Sequence, residues 1–109
     1  IKSCALWSAL KADKPVNVEV AGIASNALGA KKAGQICFDL AKEQKILALK
    51  VADEDIAFAQ ILLWNKLRQF VEPAAAAALA ALTSGAYVPA KNEKVAVLIC
   101  GGNPPSSPL

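Results

Sequence analysis

The residues best suited to chemistry lie near the end of the chain, where one cysteine and two glycines follow an apolar run. The run extends from Val95 to Ile99 and leads into Cys100, Gly101 and Gly102. Consecutive apolar residues are typical of a strand buried on both faces, and α/β proteins bind ligands beyond the carboxyl ends of such strands. The pattern predicts a ligand site at Cys100. The alternative is that Cys100 is a small buried residue that closes a strand.

The glycine pair would let backbone approach a flat ligand, although a plain turn uses glycines as well. Glu72 is a further candidate, because it precedes Pro73 and a run of alanines. Proline suits the first position of a helix, since its missing amide proton would be unpaired there. Glu72 is therefore predicted at a helix start, where it would cap the helix or complement its dipole. The alanines favour close helix packing.

Three carboxylates, Asp53, Glu54 and Asp55, precede another periodic apolar run. Negative charge is favourable in the first turn of a helix, so the cluster predicts a helix start. A metal site is the alternative. Consecutive positions of a helical turn point in different directions, and the chain contains no histidine. No metal site is expected.

Periodicity and breaking residues give the remaining elements. Helices are predicted at residues 1–12, 27–42, 56–70 and 73–82, and short strands at residues 16–20, 46–51 and 94–100. Gly29 and Gly34 weaken the second helix by roughly 1 kcal/mol each, and Ser25 or Asn26 could cap it. The last strand should lie inside a sheet, covered by the helices at 56–70 and 74–82, since its apolar run needs cover on both faces.

Composition limits the classes of protein. The chain has 109 residues, of which 55% are hydrophobic and 19% charged, and its net charge of +3 is scattered. No nucleic-acid partner is expected, since basic blocks with interleaved aromatics are missing. No apolar run reaches the ~18 residues of a membrane span, and three unpaired cysteines suit a reducing compartment, so a soluble cytoplasmic protein is expected. A first residue of Ile1 and the absence of methionine predict a fragment of a longer protein.

Several segments together resemble the serine and threonine dehydratase branch of the fold-type-II pyridoxal-phosphate enzymes, in the tryptophan synthase beta superfamily. Residues 100–103 resemble the family's Ser/Cys-Gly-Gly-Asn ending, and residues 72–79 resemble its Glu-Pro-Ala/Gly-Gly-Ala-Ala-Ala-Leu segment. Residues 21–24 and 28–30 are similar to its Gly-Gly-Ile-Ala and Leu-Gly-Ala segments. The resemblance covers residues 4–103 in the family's order, with Ala75 where glycine is usual.

This resemblance implies an α/β fold with a mostly parallel sheet between helix layers. Residues 1–103 would be the C-terminal portion of a larger catalytic domain, followed by a Pro/Ser-rich tail at 104–109. The resemblance implies pyridoxal phosphate as the cofactor, with Cys100 facing the pyridine nitrogen and Glu72, Gly101 and Gly102 as the nearby wall. No lysine here stands in the motif of the lysine that binds the cofactor, so no catalytic residue is expected in this chain.

The resemblance further implies an ammonia-lyase that converts a hydroxy amino acid to a 2-oxo acid and ammonia. The expected partners are a small amino-acid substrate, the remainder of the catalytic chain and a second copy in a homodimer. The 109-residue chain alone is expected to be inactive. The alternative function is a non-catalytic α/β module for interaction or dimerisation.

Overall fold

The computed structural model describes residues 3–103, and helices provide the regular secondary structure of that range. Their order and bounds are α1 Ala5–Ala12, α2 Ser25–Leu28, α3 Gln35–Glu43, α4 Asp53–Leu67 and α5 Pro73–Thr83. The chain divides into two compact units, with the boundary between Lys50 and Val51. The predicted tail and the first two residues of the first predicted helix lie outside the described range.

In the first unit, α1 packs on α3, and the predicted end of α1 is confirmed. The helix stops at Asp13, whose φ of 56° is left-handed and takes the chain out of the helix before Pro15. A small core forms around Phe38, which is buried with Ala9 and Ala41. Lys50 also stabilises this unit, because its ammonium lies 3.6 Å from the centroid of the Trp7 ring.

The predicted continuous helix at residues 27–42 is wrong, because the chain leaves the helical path at Gly29 and resumes it after Gly34. A Cβ on Gly29 would lie only 2.1 Å from the Ser25 carbonyl oxygen. Gly34 is extended, with φ −66° and ψ 148°, and starts α3. The predicted cap is wrong as well, since Ala24 takes the cap position and Ser25 is the first residue of α2.

In the second unit, α4 packs against α5 through very small side chains. Ala59 of α4 is buried, as are Ala76 and Ala80 of α5. Larger side chains of α4, Ile56 and Leu63, complete this core. The interface confirms that the alanine run packs closely, because methyl groups let two helix backbones approach each other.

The start of α4 follows the sequence signals, and its end does not. Asp53, Glu54 and Asp55 occupy the first turn of α4, where an Asp55 carboxylate oxygen accepts from the Ala52 amide at 3.3 Å. The helix start predicted from these acids is confirmed. The C-terminal bound of 70 is wrong, because Arg68 is left-handed at φ 54° and ends α4 at Leu67. Leu67, the last residue of α4, and Phe70, beyond its end, are both exposed.

The predicted sheet is wrong for residues 3–103, within which no strand is assigned. A strand requires a ladder of backbone hydrogen bonds to a neighbour. Residues 16–20 have only isolated bonds of this kind, such as Val18 N–H to the Lys31 carbonyl at 2.7 Å. Between residues 51 and 103, the second unit offers residues 94–100 no second strand to pair with. The cover predicted for this segment is also incomplete, with Leu98 79% exposed and Val97 and Ile99 half-buried.

Among the helices between residues 3 and 103, none has the length and apolar character that crossing a membrane requires.

The loop after α5 is closed by a hydrogen bond from the Tyr87 hydroxyl to a Glu93 carboxylate oxygen. The other Glu93 oxygen accepts from the Ala90 amide at 2.7 Å. The Tyr87 hydrogen bond, followed by the Ala90 bond, lowers the pKa of Glu93 below its ordinary 4.5. The hydrogen bond to Glu93, with smaller effects of burial and of the Glu93 charge, raises the pKa of Tyr87 above 10.0.

The directions of the two pKa shifts define the pH range in which Tyr87 and Glu93 stabilise the loop. Stabilisation by Glu93 is present above pH 4.5 and is lost as the pH falls through the lowered pKa. Stabilisation by Tyr87 is present below pH 10.0 and is lost as the pH rises through the raised pKa.

We predict that Glu93→Gln lowers the pKa of Tyr87, because the change removes both the carboxylate acceptor and its negative charge. The ring resonances of Tyr87, followed by NMR across the alkaline range, measure that pKa. Glu54→Gln, on the exposed surface of α4, is the control and should leave it unchanged. Equal Tyr87 midpoints in all three proteins would contradict this account.

Candidate functional site

Two of the predicted site residues, Glu72 and Gly101, are brought into direct contact in the second unit. Glu72 is the residue before α5, with an extended backbone at φ −71° and ψ 157°. Its carbonyl accepts from the Ala75 amide at 3.0 Å and from the Ala76 amide at 3.3 Å, which starts the helix. Its own amide donates to the Gly101 carbonyl at 3.1 Å. The start of α5 is thereby tied to the turn that carries Cys100.

The Glu72 side chain fills the space that a side chain at Gly101 would need. A Cβ built on Gly101 would lie 1.6 Å from Glu72 Oε1 and 2.8 Å from Glu72 Cγ. Gly101 also has a φ of 56°, a left-handed conformation that favours glycine. The backbone angle and the Glu72 side chain therefore both favour glycine here.

Of the alternatives for Glu72, capping of α5 by its side chain is not what the structure shows. No hydrogen bond joins the Glu72 side chain to the amides of the first turn of α5. The carboxylate lies beside Gly101 instead. It remains at the amino end of the helix, where the α5 dipole favours negative charge.

Cys100 and Gly102 flank this contact. Cys100 is exposed and its thiol is free, so the alternative, a small buried residue that closes a strand, does not apply to this chain. A Cβ at Gly102 would lie 3.4 Å from the Phe70 carbonyl oxygen, an ordinary van der Waals contact, so the described residues would tolerate a side chain there. The exposed Cys100 is thus the chain neighbour of the glycine that the Glu72 carboxylate contacts.

Sequence reasoning missed Gln60, a buried polar residue of α4. Gln60 is only 6% exposed, and its Nε2 donates to the Val71 carbonyl at 2.8 Å. A signal was available, because Gln60 is four residues after Ile56 and three before Leu63 and so shares their buried face. A glutamine at such a position needs a hydrogen-bond partner.

Ala75, where the family resemblance would place glycine, is 1% exposed and belongs to the α4–α5 core. Its amide donates to the Glu72 carbonyl, so it takes part in the first turn of the helix. The alanines next to Glu72 thus hold α5 against α4 and fix the position from which the Glu72 side chain extends.

Comparison with known proteins identifies the family. The family model for "Pyridoxal-phosphate dependent enzyme" matches residues 2–101. The chain belongs to the pyridoxal-phosphate dependent enzymes. The suspected membership of the fold-type-II enzymes is confirmed by this match together with the relatives that follow.

Two curated relatives and one solved structure are similar to this chain. It is 35% identical to a serine dehydratase-like protein of Mus musculus over 108 positions, covering 92% of this chain and 33% of that protein. It is 33% identical to phenylserine dehydratase of Ralstonia pickettii over 79 positions, covering 72% of this chain and 24% of that enzyme. A crystal structure of a T.th. threonine deaminase is similar with a TM-score of 0.80 and 28% identity, over 93% of this chain and 36% of that one.

The chain is much shorter than these relatives. It spans about a third of the length of the mouse relative and of the threonine deaminase, since 33% and 36% of them are covered. The sheet that the family resemblance implied is not formed by residues 3–103 by themselves. The family assignment therefore stands on the match and on the structural likeness, and not on a sheet within this chain.

We predict that Gly101→Ala destabilises the full-length protein more than Gly85→Ala does. Gly85 is also left-handed, at φ 78°, but an added Cβ there meets nothing within 4 Å. Both changes place alanine in a left-handed conformation, which costs about 1–2 kcal/mol. Only Gly101→Ala must also expel the Glu72 carboxylate. Urea unfolding measures the difference, and equal losses of stability would mean that the contact with Glu72 contributes nothing.

Proposed function

We propose that this chain is the C-terminal portion of a pyridoxal-phosphate dependent ammonia-lyase that acts on a β-hydroxy amino acid. The observation that supports it most is the contact between Glu72 and Gly101, which groups the four cofactor-wall residues expected from the sequence. The names of the similar proteins agree, because serine, phenylserine and threonine all carry a hydroxyl on the β-carbon. In the net reaction the amino acid yields a 2-oxo acid and ammonia.

The groups at this site fit one edge of pyridoxal phosphate. Cys100 offers a neutral thiol, which can hydrogen-bond a pyridine nitrogen without forcing a full positive charge onto the ring. Gly102 offers backbone without a side chain, which suits a flat ligand. When bound, the cofactor supplies an electron sink that stabilises negative charge at the substrate α-carbon. A thiol partner moderates that sink, which suits expulsion of a β-hydroxyl.

Glu72 would form the side of the same wall. Its amide binds the Gly101 carbonyl and its carboxylate lies against Gly101, so its first role is to fix the backbone next to Cys100. A carboxylate at this place also repels a second negative charge and so disfavours a wrongly oriented substrate carboxylate. We assign Glu72 to orientation and shaping of the site.

Exposed apolar side chains support the proposal that the remainder of a catalytic chain covers this one. In the second unit Leu98 and Leu67 are 79% and 63% exposed, and Phe58 is 57% exposed. Large apolar side chains scattered singly on a surface are ordinary, but Leu98 lies in segment 94–100, whose apolar pattern predicts cover on both faces. The covered length of the relatives leaves about two thirds of such a chain to provide the cover.

The missing portion would also supply the lysine that binds the cofactor and the loop that holds its phosphate. We further propose that the complete protein forms a homodimer and resides in the cytoplasm, where its free cysteines would stay reduced. A non-catalytic interaction module is the second candidate, favoured by the same exposed apolar side chains.

The experiment that separates the two functions uses the full-length protein. The enzyme should absorb in the visible band of protein-bound pyridoxal phosphate and form a 2-oxo acid and ammonia from serine, threonine or a related hydroxy amino acid. The 109-residue chain alone should do neither. A full-length protein without cofactor absorbance would instead support the interaction module.

We predict that Cys100→Ala in the full-length enzyme lowers turnover and alters cofactor absorbance, while the protein stays folded. The change removes one hydrogen bond to the ring, worth ~0.5–1.5 kcal/mol or up to about tenfold in rate. Cys100→Ser should retain most activity, because a hydroxyl makes the same contact. Cys37→Ala, a change at another exposed free cysteine, is the control. Identical turnover and spectra in parent, Ala and Ser variants would leave Cys100 without a role at the ring.

A further inference from the structure

The peptide group between Val71 and Glu72 is hydrogen-bonded on both of its edges. Its carbonyl, from Val71, accepts from Gln60 Nε2 at 2.8 Å. Its N–H, from Glu72, donates to the Gly101 carbonyl at 3.1 Å. The peptide is trans, so the two bonds point in opposite directions, one toward α4 and one toward the Gly101 turn.

This arrangement makes Gln60 the link between the rigid core and the candidate site. Gln60 lies on the buried face of α4, between Ile56 and Leu63, and is itself buried. A hydrogen bond to the carbonyl polarises the peptide group and strengthens the N–H on its other edge as a donor. Because the peptide group is planar, the direction that Gln60 gives to the Val71 carbonyl also sets the direction of the Glu72 N–H toward Gly101.

We propose that Gln60 is a positioning residue, which holds Glu72 against Gly101 and thereby fixes the orientation of Cys100. The proposal rests on the proposed function, since the consequence of that orientation is contact with the cofactor. Gln60 acts on the site through the Val71–Glu72 peptide, whose carbonyl it holds.

The chemistry of the site explains why this residue is a glutamine. The Val71 carbonyl is outside any helix and next to a side chain that is only 5% exposed, so without Gln60 it would lose its buried partner. An unpaired buried carbonyl is unfavourable, and the peptide would rotate to find another donor. Glutamate would offer no N–H when ionised, and asparagine would be one methylene too short to reach from the same backbone position.

The test uses Gln60→Met in the full-length protein, because methionine keeps the length and flexibility of the side chain but cannot donate. Gln69→Met, at an exposed glutamine after α4, is the matched control. The first readout is hydrogen exchange at the Glu72 amide of the cofactor-free protein. We expect Gln60→Met to speed this exchange roughly three- to tenfold relative to buried amides of α4, since the local hydrogen bond is weakened and not the whole core.

The second readout is cofactor absorbance and cofactor affinity in a double-mutant cycle with Glu72→Ala. Gln60→Met alone should shift the absorbance and weaken cofactor binding roughly three- to tenfold. In the Glu72→Ala background its effect should be smaller but not zero, because the side-chain contact with Gly101 is already gone while the residue 72 amide bond to the Gly101 carbonyl remains. The control should change neither readout.

Three results would overturn the proposal: unchanged exchange at the Glu72 amide, exchange that rises equally across α4, or effects that add fully in the double variant. The last two would make Gln60 a residue of general stability only. A parent protein that bound no cofactor would overturn the proposed function instead, and the exchange measurement would still decide whether Gln60 positions Glu72.

Discussion

The candidate site depends on one peptide plane, the one between Val71 and Glu72. Gln60 holds its carbonyl and Gly101 receives its N–H, so the start of α5 and the turn after residue 100 are fixed together. The carboxylate of Glu72 then occupies the place of the absent Gly101 side chain. Because each contact restricts the next, the backbone next to Cys100 is held although it lies in a segment without regular secondary structure.

The packing of α4 on α5 is what makes that peptide plane rigid. Alanines at the interface bring the two helices close, so the side-chain amide of Gln60 can reach the Val71 carbonyl, which precedes α5. The remaining apolar surface has less cover, and Leu98 is the clearest case at 79% exposed. The core is therefore closed between α4 and α5 and open along residues 94–102, and the chain spans about a third of the length of its mouse relative.

Local sequence signals predicted the starts of α4 and α5 correctly and the strands incorrectly. Pro73 and the acids at 53–55 act within one turn, so their effect depends on no distant residue. A strand depends on a partner, and residues 94–100 have none within the described part of their unit, which no apolar pattern could reveal. Glu72, Gly101 and Gly102 were identified through family resemblance. Gln60 escaped notice because its importance comes from a backbone carbonyl eleven residues away.

A crystal structure of the full-length protein with pyridoxal phosphate tests the central claim most directly. The account predicts that the Cys100 sulfur lies within hydrogen-bonding distance of the pyridine nitrogen, with the Glu72 carboxylate still across Gly101. It also predicts that residues 94–100 pair with strands from outside this chain. A ring nitrogen facing a different side chain, with Cys100 directed away from the cofactor, would contradict it.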